Sequence, residues 1–495
     1  MNSSYVDDEK TTRAECIATL APKRIGRYRS AGAGVANIAP TMSFFFSFGV
    51  IVVAAGAQAP VSIAIAALAI WTVSFAANKF SNEIPSAGSL PSYIGAVFGQ
   101  STKLAFTVLL SLGYIAALSA IIAVLGGWLE VFVQKYTGVV APWEIYAGIS
   151  VVIAVLVSIS KIESATKTIL FLVAIEIGVL VLVSIFILAK HHAFISFSFV
   201  TPSALEHNWH GTIAGAALAV FLFTGWESPH ALAQETRNPK RNVSWATSRA
   251  IMVTFALYLV LAIVSTVGFD QNLNALTDAA VPFLDLANQL SPIFTIIVFI
   301  AGATSMLGAI VAGANSISRI IYFDANENIQ LNKLAQLNPS TYVPWVATLA
   351  IYGASIAAAF IFGGRGDPFV FFGESATFGA VLIGLVYAST SIAYIVFMRR
   401  TSTQPSTSKV VIPAIGAALI IFAVVSLLPL GQPAPFSYFP ALSLVSVAFA
   451  AFIAKLLDYL KSNGRPSTMG VNVNRATAET RVRLPYDHEN DSADN

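Results

Sequence analysis

The chain has 495 residues, of which 56% are hydrophobic and only 11% are charged, and its mean hydropathy is +0.73. A soluble chain of this length carries about 25% charged residues, so the composition excludes a soluble domain and predicts a protein embedded in a lipid bilayer. The formal net charge is only +3, and we expect no nucleic-acid partner. The single cysteine, Cys16, excludes an intramolecular disulfide, a cysteine metal cluster and a haem attachment.

Apolar segments long enough to span a bilayer follow one another along the chain. The predicted spans 1 to 12 are 35–55, 60–80, 104–133, 143–160, 165–189, 211–234, 247–268, 293–323, 344–363, 369–398, 410–430 and 437–459. Each comes close to the ~20 apolar residues that a spanning helix needs or exceeds them, which predicts an all-α integral membrane fold with twelve transmembrane helices. Residues 1–34 are expected to form a cytoplasmic tail, and the polar residues 460–495 a disordered cytoplasmic tail.

The basic residues indicate the orientation. With the N-terminus in the cytoplasm, 25 of the 28 Lys and Arg residues fall on the cytoplasmic side, and only Lys135, Lys190 and Arg365 fall outside. This bias obeys the positive-inside rule, which the opposite orientation would violate. An even number of spans also returns the C-terminus to the cytoplasm. We therefore expect a multi-pass protein of the plasma or inner membrane with both termini cytoplasmic.

Two predicted spans contain residues that interrupt helices. Pro40 lies in span 1, and span 6 contains Gly225 followed by Pro229. Non-helical backbone at membrane depth is tolerated where it lines a cavity or is buried in protein. Spans 1 and 6 are five spans apart, the spacing expected of two inverted repeats, 35–190 and 211–398, followed by two further helices over 410–459. The alternative is that these residues only kink two ordinary helices.

The segment 221–242, FLFTGWESPHALAQETRNPKRN, closely resembles helix 6 and the following loop of the amino acid–polyamine–organocation superfamily. Ser318-Arg319-Ile320-Ile321-Tyr322, Pro85-Ser86-Ala87-Gly88-Ser89 and Pro344 resemble further motifs of that family. The resemblance implies a leucine-transporter-like core of five plus five helices, with helices 1 and 6 broken, and secondary transport of amino acids. Lys79 departs from the family pattern, which often has an acidic residue there.

The predicted interruptions define a candidate substrate site. Freed N–H groups at the start of the second half of a broken helix favour an anion, so Ala39, Thr41, Met42 and Ser43 are candidates to cradle a substrate carboxylate. Carbonyl groups freed near Phe223, Thr224 and Gly225 can accept from a substrate ammonium, and the resemblance implies the same division of roles. Phe221 and Phe223 are candidate lids, with core or lipid packing as the alternative; Tyr114 and Asn315 either line the cavity or only join helices.

Carboxylates inside a membrane are costly and therefore candidates for function. Glu227 follows the interruption of span 6, where it can gate, sense pH, bind a cation or simply bond to freed backbone, and Trp226 beside it belongs to the same candidate gate. Glu176 lies near the middle of span 5, a region that in the family faces helices 1 and 8, and it is either a proton-coupling group or a wall of a water-filled vestibule. Thr304 and Ser305 are weaker candidates to bind sodium.

No phosphate-binding loop, catalytic triad or metal motif occurs in the sequence, which predicts a protein that is not an enzyme and needs no cofactor or metal. The expected function is secondary active transport of an amino acid by alternating access, as proton-coupled symport or as exchange (antiport), with a proton or sodium as coupling ion and the lipid bilayer as surroundings. Two alternatives stay open: transport of a polyamine or other organic amine, and a nutrient receptor that does not transport.

Overall fold

A computed structural model describes residues 20, 23–194, 208–364, 366–402, 406–428 and 433–463. Cys16, Arg365, the predicted N-terminal tail up to residue 19 and the predicted disordered tail from residue 464 lie outside the described residues. Within the described part the secondary structure is helical, and a single pair of bridging residues, Ile25 and Thr236, joins the start of the chain to a later loop.

Seventeen α-helices lie within the described residues. They are α1 (Arg27–Ile38), α2 (Pro40–Ala55), α3 (Ala59–Glu83), α4 (Ser89–Phe98), α5 (Gln100–Thr137), α6 (Trp143–Ser158), α7 (Ile162–Lys190), α8 (Trp209–Ala219), α9 (Ser228–Ala231), α10 (Pro239–Gly268), α11 (Leu273–Asp278), α12 (Pro282–Leu290), α13 (Pro292–Glu327), α14 (Trp345–Ala358), α15 (Pro368–Thr401), α16 (Thr407–Ser426) and α17 (Phe439–Asn463).

Nine helical segments of the described chain are long and apolar enough to cross a bilayer. One of them, Arg27–Glu83, runs through α1, α2 and α3, and the other eight contain α5, α7, α10, α13, α14, α15, α16 and α17. The helix α6, with 16 residues, and α8, with 11, fall below that length. A count of twelve spans therefore requires that Arg27–Glu83 crosses twice and that α6 and the interrupted α8–α9 segment cross once each.

Small residues bring the longest helices together. The helix α5 packs along α15, and a β-carbon added at Gly379 would lie 2.8 Å from the Gly113 carbonyl oxygen. Small residues are typical of helix contacts in a bilayer. Apolar side chains gain little by leaving lipid for a helix contact, so close packing of the backbones contributes more. The helix α13 lies against α5 and α7, and α10 lies against α1 and α3. Together these helices form the frame that holds α1, α2, α8 and α9.

Candidate functional site

The first interruption separates α1 from α2 at one residue. Ala39 adopts a φ of 52°, in the left-handed region that residues other than glycine rarely enter. Pro40 then begins α2, a position that suits proline because the first N–H groups of a helix have no partner within it. The N-terminus of α2 is buried inside the bundle, where its N–H groups need other partners.

The second interruption lies between α8 and α9. The chain tightens into a 3-10 turn over Val220–Phe223, and α9 begins only at Ser228. Gly225 has a φ of 102°, and a β-carbon there would lie 2.6 Å from the Asn37 carbonyl oxygen. The Asn37 side chain donates to the Gly225 carbonyl at 3.1 Å. Glycine is therefore required where the two interruptions meet.

Glu227 lies in the second interruption and is buried. The hydroxyl of Tyr114, on α5, donates to one carboxylate oxygen, and the hydroxyl of Tyr387, on α15, donates to the other at 2.5 Å. The Tyr387 hydroxyl also accepts from the Gly225 N–H at 3.2 Å, and Asn37 donates to the Tyr114 hydroxyl at 3.0 Å. Hydrogen bonds to a charged group are among the stronger ones, so this network fixes the non-helical segment to α5 and α15.

Glu176, on α7, is buried at the N-terminus of α2. One of its carboxylate oxygens accepts from the Thr41 N–H, the Thr41 hydroxyl and the Ser305 hydroxyl, each at 2.7 Å. The positive end of a helix dipole favours a negative charge at this position. The carboxylate therefore joins α2, α7 and α13 at one point.

Ala39, Thr41, Met42 and Ser43 were predicted to cradle a substrate carboxylate. In the structure the N–H groups of the last three already donate to other groups of the protein. The Thr41 N–H donates to Glu176, the Met42 N–H donates to Ser305 Oγ at 3.4 Å, and the Ser43 N–H donates to the Ala39 carbonyl at 2.9 Å. The helix α7 brings its own carboxylate to this turn, and the spacing of residues along the sequence does not reveal that.

A cavity of about 320 Å³ lies beside the two interruptions. It extends from them towards Val50, near the end of α2, and Phe369, at the start of α15. Most of its lining is apolar, and none of the described residues that line it is charged. The polar side chains in the lining are Asn37, Ser43, Ser47, Tyr114, Thr224 and Thr377.

The cavity brings together part of the predicted substrate site. Of the predicted residues it is lined by Met42, Ser43, Tyr114, Phe221, Thr224 and Gly225. Ala39 and Thr41 are buried at the first interruption instead. Phe223 also lies outside the lining and packs edge-on against Tyr258, with ring centroids 5.2 Å apart. Asn315 is buried on α13 outside the lining, and neither of its side-chain amide atoms bonds to another described residue.

The predicted gating and coupling residues lie behind the cavity wall. Glu227 is linked to the lining through its hydrogen-bond partner Tyr114. Glu176 is one contact further away, because its partner Ser305 lies outside the lining and accepts from the N–H of Met42, which lines the cavity. Trp226 is fully buried, with its ring centroid 5.2 Å from that of Tyr387 and 6.1 Å from that of His230.

Two polar residues that hold the second interruption in place were not predicted from the sequence. Asn37 contacts both the second interruption and Tyr114, and Tyr387 contacts both Glu227 and Gly225. A polar side chain three residues before Pro40 in an apolar helix is a signal that could have identified Asn37. Tyr387 lies within a regular helix, and no local pattern distinguishes it.

Ion pairs lie at the end of the bundle opposite the cavity. Arg319, on α13, donates to both carboxylate oxygens of Glu235, and both residues are buried. Lys103 Nζ lies 2.7 Å from an oxygen of Asp324 and 2.8 Å from an oxygen of Glu327. Removing one partner of a buried pair such as Arg319–Glu235 leaves uncompensated charge and costs about 3–5 kcal/mol.

The described residues thus form a bundle of membrane-length helices with a cavity at two helix interruptions. The sequence model of the family described as "Amino acid permease" matches residues 32–454. The chain therefore belongs to the amino acid permease family, and the predicted membership of the amino acid–polyamine–organocation superfamily is confirmed. It is a multi-pass membrane protein, and its family consists of permeases rather than enzymes.

Relatives in distant organisms agree with this assignment. "Branched-chain amino acid permease BcaP" of Bacillus subtilis is 22% identical over 354 residues, which cover 66% of this chain and 72% of that protein. "Cationic amino acid transporter 4" of Mus musculus is 22% identical over 383 residues, 70% of this chain and 55% of that protein. The chain thus spans just over half the length of the mouse relative.

Among solved structures, one with partial similarity is a Na⁺-coupled sialic acid symporter in a substrate-bound, outward-open state. It covers 79% of this chain and 88% of its own chain, at 15% identity and a TM-score of 0.49.

Proposed function

We propose that the protein carries a neutral amino acid with an apolar side chain across the cell membrane by alternating access, coupled to a proton. The observation that carries the proposal is the position of the cavity, which lies at two facing interruptions, each backed by a buried carboxylate. Membership of the amino acid permease family supports transport of amino acids. The proposed architecture is twelve spans with a core of five plus five helices, 35–190 and 211–398.

The lining of the cavity supports an apolar side chain. A cationic amine needs a carboxylate close to its charge, because an unpaired charge in an apolar site is strongly disfavoured. None of the described residues in the lining supplies one, and both oxygens of Glu227 already accept from tyrosine hydroxyls. The Bacillus subtilis relative is named a branched-chain amino acid permease, which agrees with this substrate class.

The N-terminus of α2 supports coupling to a proton through Glu176. Met42 and Ser43 line the cavity in the first turn of α2, so a substrate carboxylate held there would share the positive end of the helix dipole with Glu176. Two carboxylates at one helix terminus repel each other. A proton on Glu176 removes that repulsion, and proton and substrate then favour each other's binding by the same factor.

The ion pairs opposite the cavity support a proposal for alternating access. In the orientation with both termini cytoplasmic, the cavity faces outward, and the Arg319–Glu235 pair with the Lys103–Asp324–Glu327 cluster closes the cytoplasmic side. Release into the cytoplasm would require these contacts to separate while the outer ends of α2 and α15 come together.

The test is uptake of radiolabelled substrates into proteoliposomes under three conditions: an inward proton gradient, an inward sodium gradient, and preloading with unlabelled substrate. The panel contains leucine, valine and phenylalanine, with lysine, glutamate and putrescine for comparison. We expect accumulation of an apolar amino acid that requires the proton gradient and stops when a protonophore is added.

Each alternative has its own outcome in the same assay. Uptake of putrescine or lysine alone would support the organic amine transporter. Dependence on sodium would make Glu176, with the hydroxyls of Thr41 and Ser305, an oxygen-rich cation site. Uptake only into preloaded vesicles would mean exchange, and binding without flux under all three conditions would leave a nutrient receptor.

A further inference from the structure

A groove of about 650 Å³ runs along the outer surface of the bundle between α3 and α10. Both helices belong to segments long and apolar enough to cross a bilayer. Leu68, Trp71 and Met252 in its wall are each about half exposed, so the groove faces the surroundings of the bundle rather than its core. Its lining also includes Ala64, Trp245 and Arg249.

One end of the groove carries two guanidinium groups arranged about one indole ring. The Cζ atoms of Arg27 and Arg249 lie 4.9 Å and 5.6 Å from the ring centroid of Trp245. Tyr28 packs edge-on against the same ring at 5.3 Å. Cation–π contacts at these distances orient the two cations at a fixed place on the surface.

A third cation, Lys79, lies on α3, on the other side of the groove. Trp71, Phe75 and Lys79 occupy successive turns of one face of α3, with 6.3 Å between the two ring centroids and 5.4 Å from Lys79 Nζ to the Phe75 ring.

These three cations have no anionic partner among the residues that the structure describes. Arg27 bonds to the Tyr28 hydroxyl at 3.2 Å, and Arg249 contacts the Met252 sulfur at 3.6 Å. Elsewhere in the described chain Arg24, Lys103 and Arg319 each pair with a carboxylate. Arg27, Lys79 and Arg249 therefore leave uncompensated positive charge beside an apolar groove.

We propose that this groove binds an anionic glycerophospholipid, with its phosphate between Arg27 and Arg249 and an acyl chain along α3 and α10. Charge complementarity selects an anion, and the apolar wall between two spanning helices selects one that carries a hydrocarbon chain. Basic clusters at the membrane interface attract anionic lipids, and tryptophan favours the same depth. In the proposed orientation the lipid belongs to the cytoplasmic leaflet, where α1 and α10 begin.

Native mass spectrometry of the purified, delipidated full chain tests the proposal. The protein is given equal amounts of phosphatidylglycerol and phosphatidylcholine with identical acyl chains, and the bound adducts are counted. We expect the wild type to prefer phosphatidylglycerol. In the Arg27→Gln/Arg249→Gln variant the ratio of bound phosphatidylglycerol to bound phosphatidylcholine should fall about fivefold for each arginine removed. Arg249→Lys, which keeps the charge, should retain most of it.

Two further variants separate a built site from general surface charge. Arg399→Gln removes an exposed cation near the end of α15, outside the groove, and should leave the preference unchanged. Ala64→Phe fills the groove with all cations intact and should reduce retention of the lipid. Equal retention of both lipids by the wild type, or an equal loss of preference in Arg399→Gln, would overturn the proposal; size-exclusion profiles exclude variants that fail to fold.

Discussion

The two interruptions each hold a buried carboxylate, but they hold it in different ways. Glu227 is bonded to tyrosine hydroxyls of α5 and α15, two long helices packed closely against each other. Glu176 is bonded to the first turn of α2 and to Ser305 of α13, so its partners include the end of an interrupted helix. The first carboxylate fastens a non-helical segment to a frame, and the second lies at a junction of three helices.

This difference bears on the roles that the sequence leaves open for the two carboxylates. A carboxylate with fixed partners on both oxygens stabilises one backbone conformation. A carboxylate at a helix N-terminus beside the cavity shares that terminus with any substrate anion. We therefore propose coupling for Glu176 and positioning of the second interruption for Glu227, and the following predictions compare the two.

The largest expected effect is in Glu176→Gln, which keeps the size of the side chain but carries no titratable proton. Accumulation driven by a proton gradient should be lost completely, whereas the wild type should accumulate substrate about tenfold per unit of pH gradient for one coupled proton. Exchange of external labelled substrate for unlabelled substrate inside preloaded vesicles should remain, because the cavity is intact. Uptake of labelled substrate in both assays measures this.

Glu227→Gln is the matched comparison for that experiment. It should still accumulate substrate against a gradient, at a lower rate. Loss of accumulation in Glu227→Gln together with normal accumulation in Glu176→Gln would reverse the two assignments.

A third carboxylate, placed in the cavity wall, should change the choice of substrate. Ala376 lines the cavity, and Ala376→Asp introduces a charge that costs on the order of 2.5–3.5 kcal/mol at membrane depth when unpaired. Affinity for apolar amino acids should fall about a hundredfold, and competition by lysine should appear. Ala376→Asn is the uncharged control, and competition binding with labelled leucine is the measurement. Unaltered selectivity in the aspartate variant would mean that the substrate binds elsewhere.

Tyr387→Phe should weaken the frame of the second interruption without affecting coupling. It removes the hydrogen bond to Glu227 and leaves the Gly225 N–H without its partner. Losing a hydrogen bond to a charged group costs about 1.5–3 kcal/mol, which denaturant unfolding in detergent would detect. The ratio of protons to substrate should stay that of the wild type, and a changed ratio at normal stability would contradict the assignment of Glu227.

The smallest expected effect is the non-additivity of two substitutions, which should appear within one network and be absent between the two. Ser305→Ala and Glu176→Gln remove two partners of one cluster, so their costs in unfolding free energy should deviate from additivity by about 0.5–3 kcal/mol. Ser305→Ala and Glu227→Gln affect separate clusters and should add within about 0.5 kcal/mol. Equal deviations in both cycles would mean that the two carboxylates form a single network.

The sequence indicates which residues are costly in a membrane, but it does not show their partners. Pro40, Gly225, Glu176 and Glu227 each violate a local rule for apolar helices, and the structure places all four at or beside the interruptions. The partners come from helices far away in sequence: Tyr387 follows Glu227 by 160 residues. Rotation of regular helices such as α7 and α15 about their axes decides which side chains meet, and a nearly uniform apolar pattern does not encode it.

The same limitation explains the cradle at α2. Helix physics predicts N–H groups that need an anion at Thr41 and Met42, and the structure has an anion there, supplied by Glu176 of the protein itself. The twelve predicted spans follow from hydropathy and the two interruptions from Pro40 and Gly225, whereas the contact between the interruptions depends on tertiary packing.

The most direct test of the central claim is the number of protons taken up when substrate binds. Purified protein in weakly buffered detergent solution is mixed with saturating substrate, and a pH indicator records proton uptake. We predict uptake of up to one proton per substrate bound in the wild type, and none in Glu176→Gln, which still binds substrate. Undiminished proton uptake in Glu176→Gln, or substrate binding by the wild type with no proton uptake at any pH, would contradict the account.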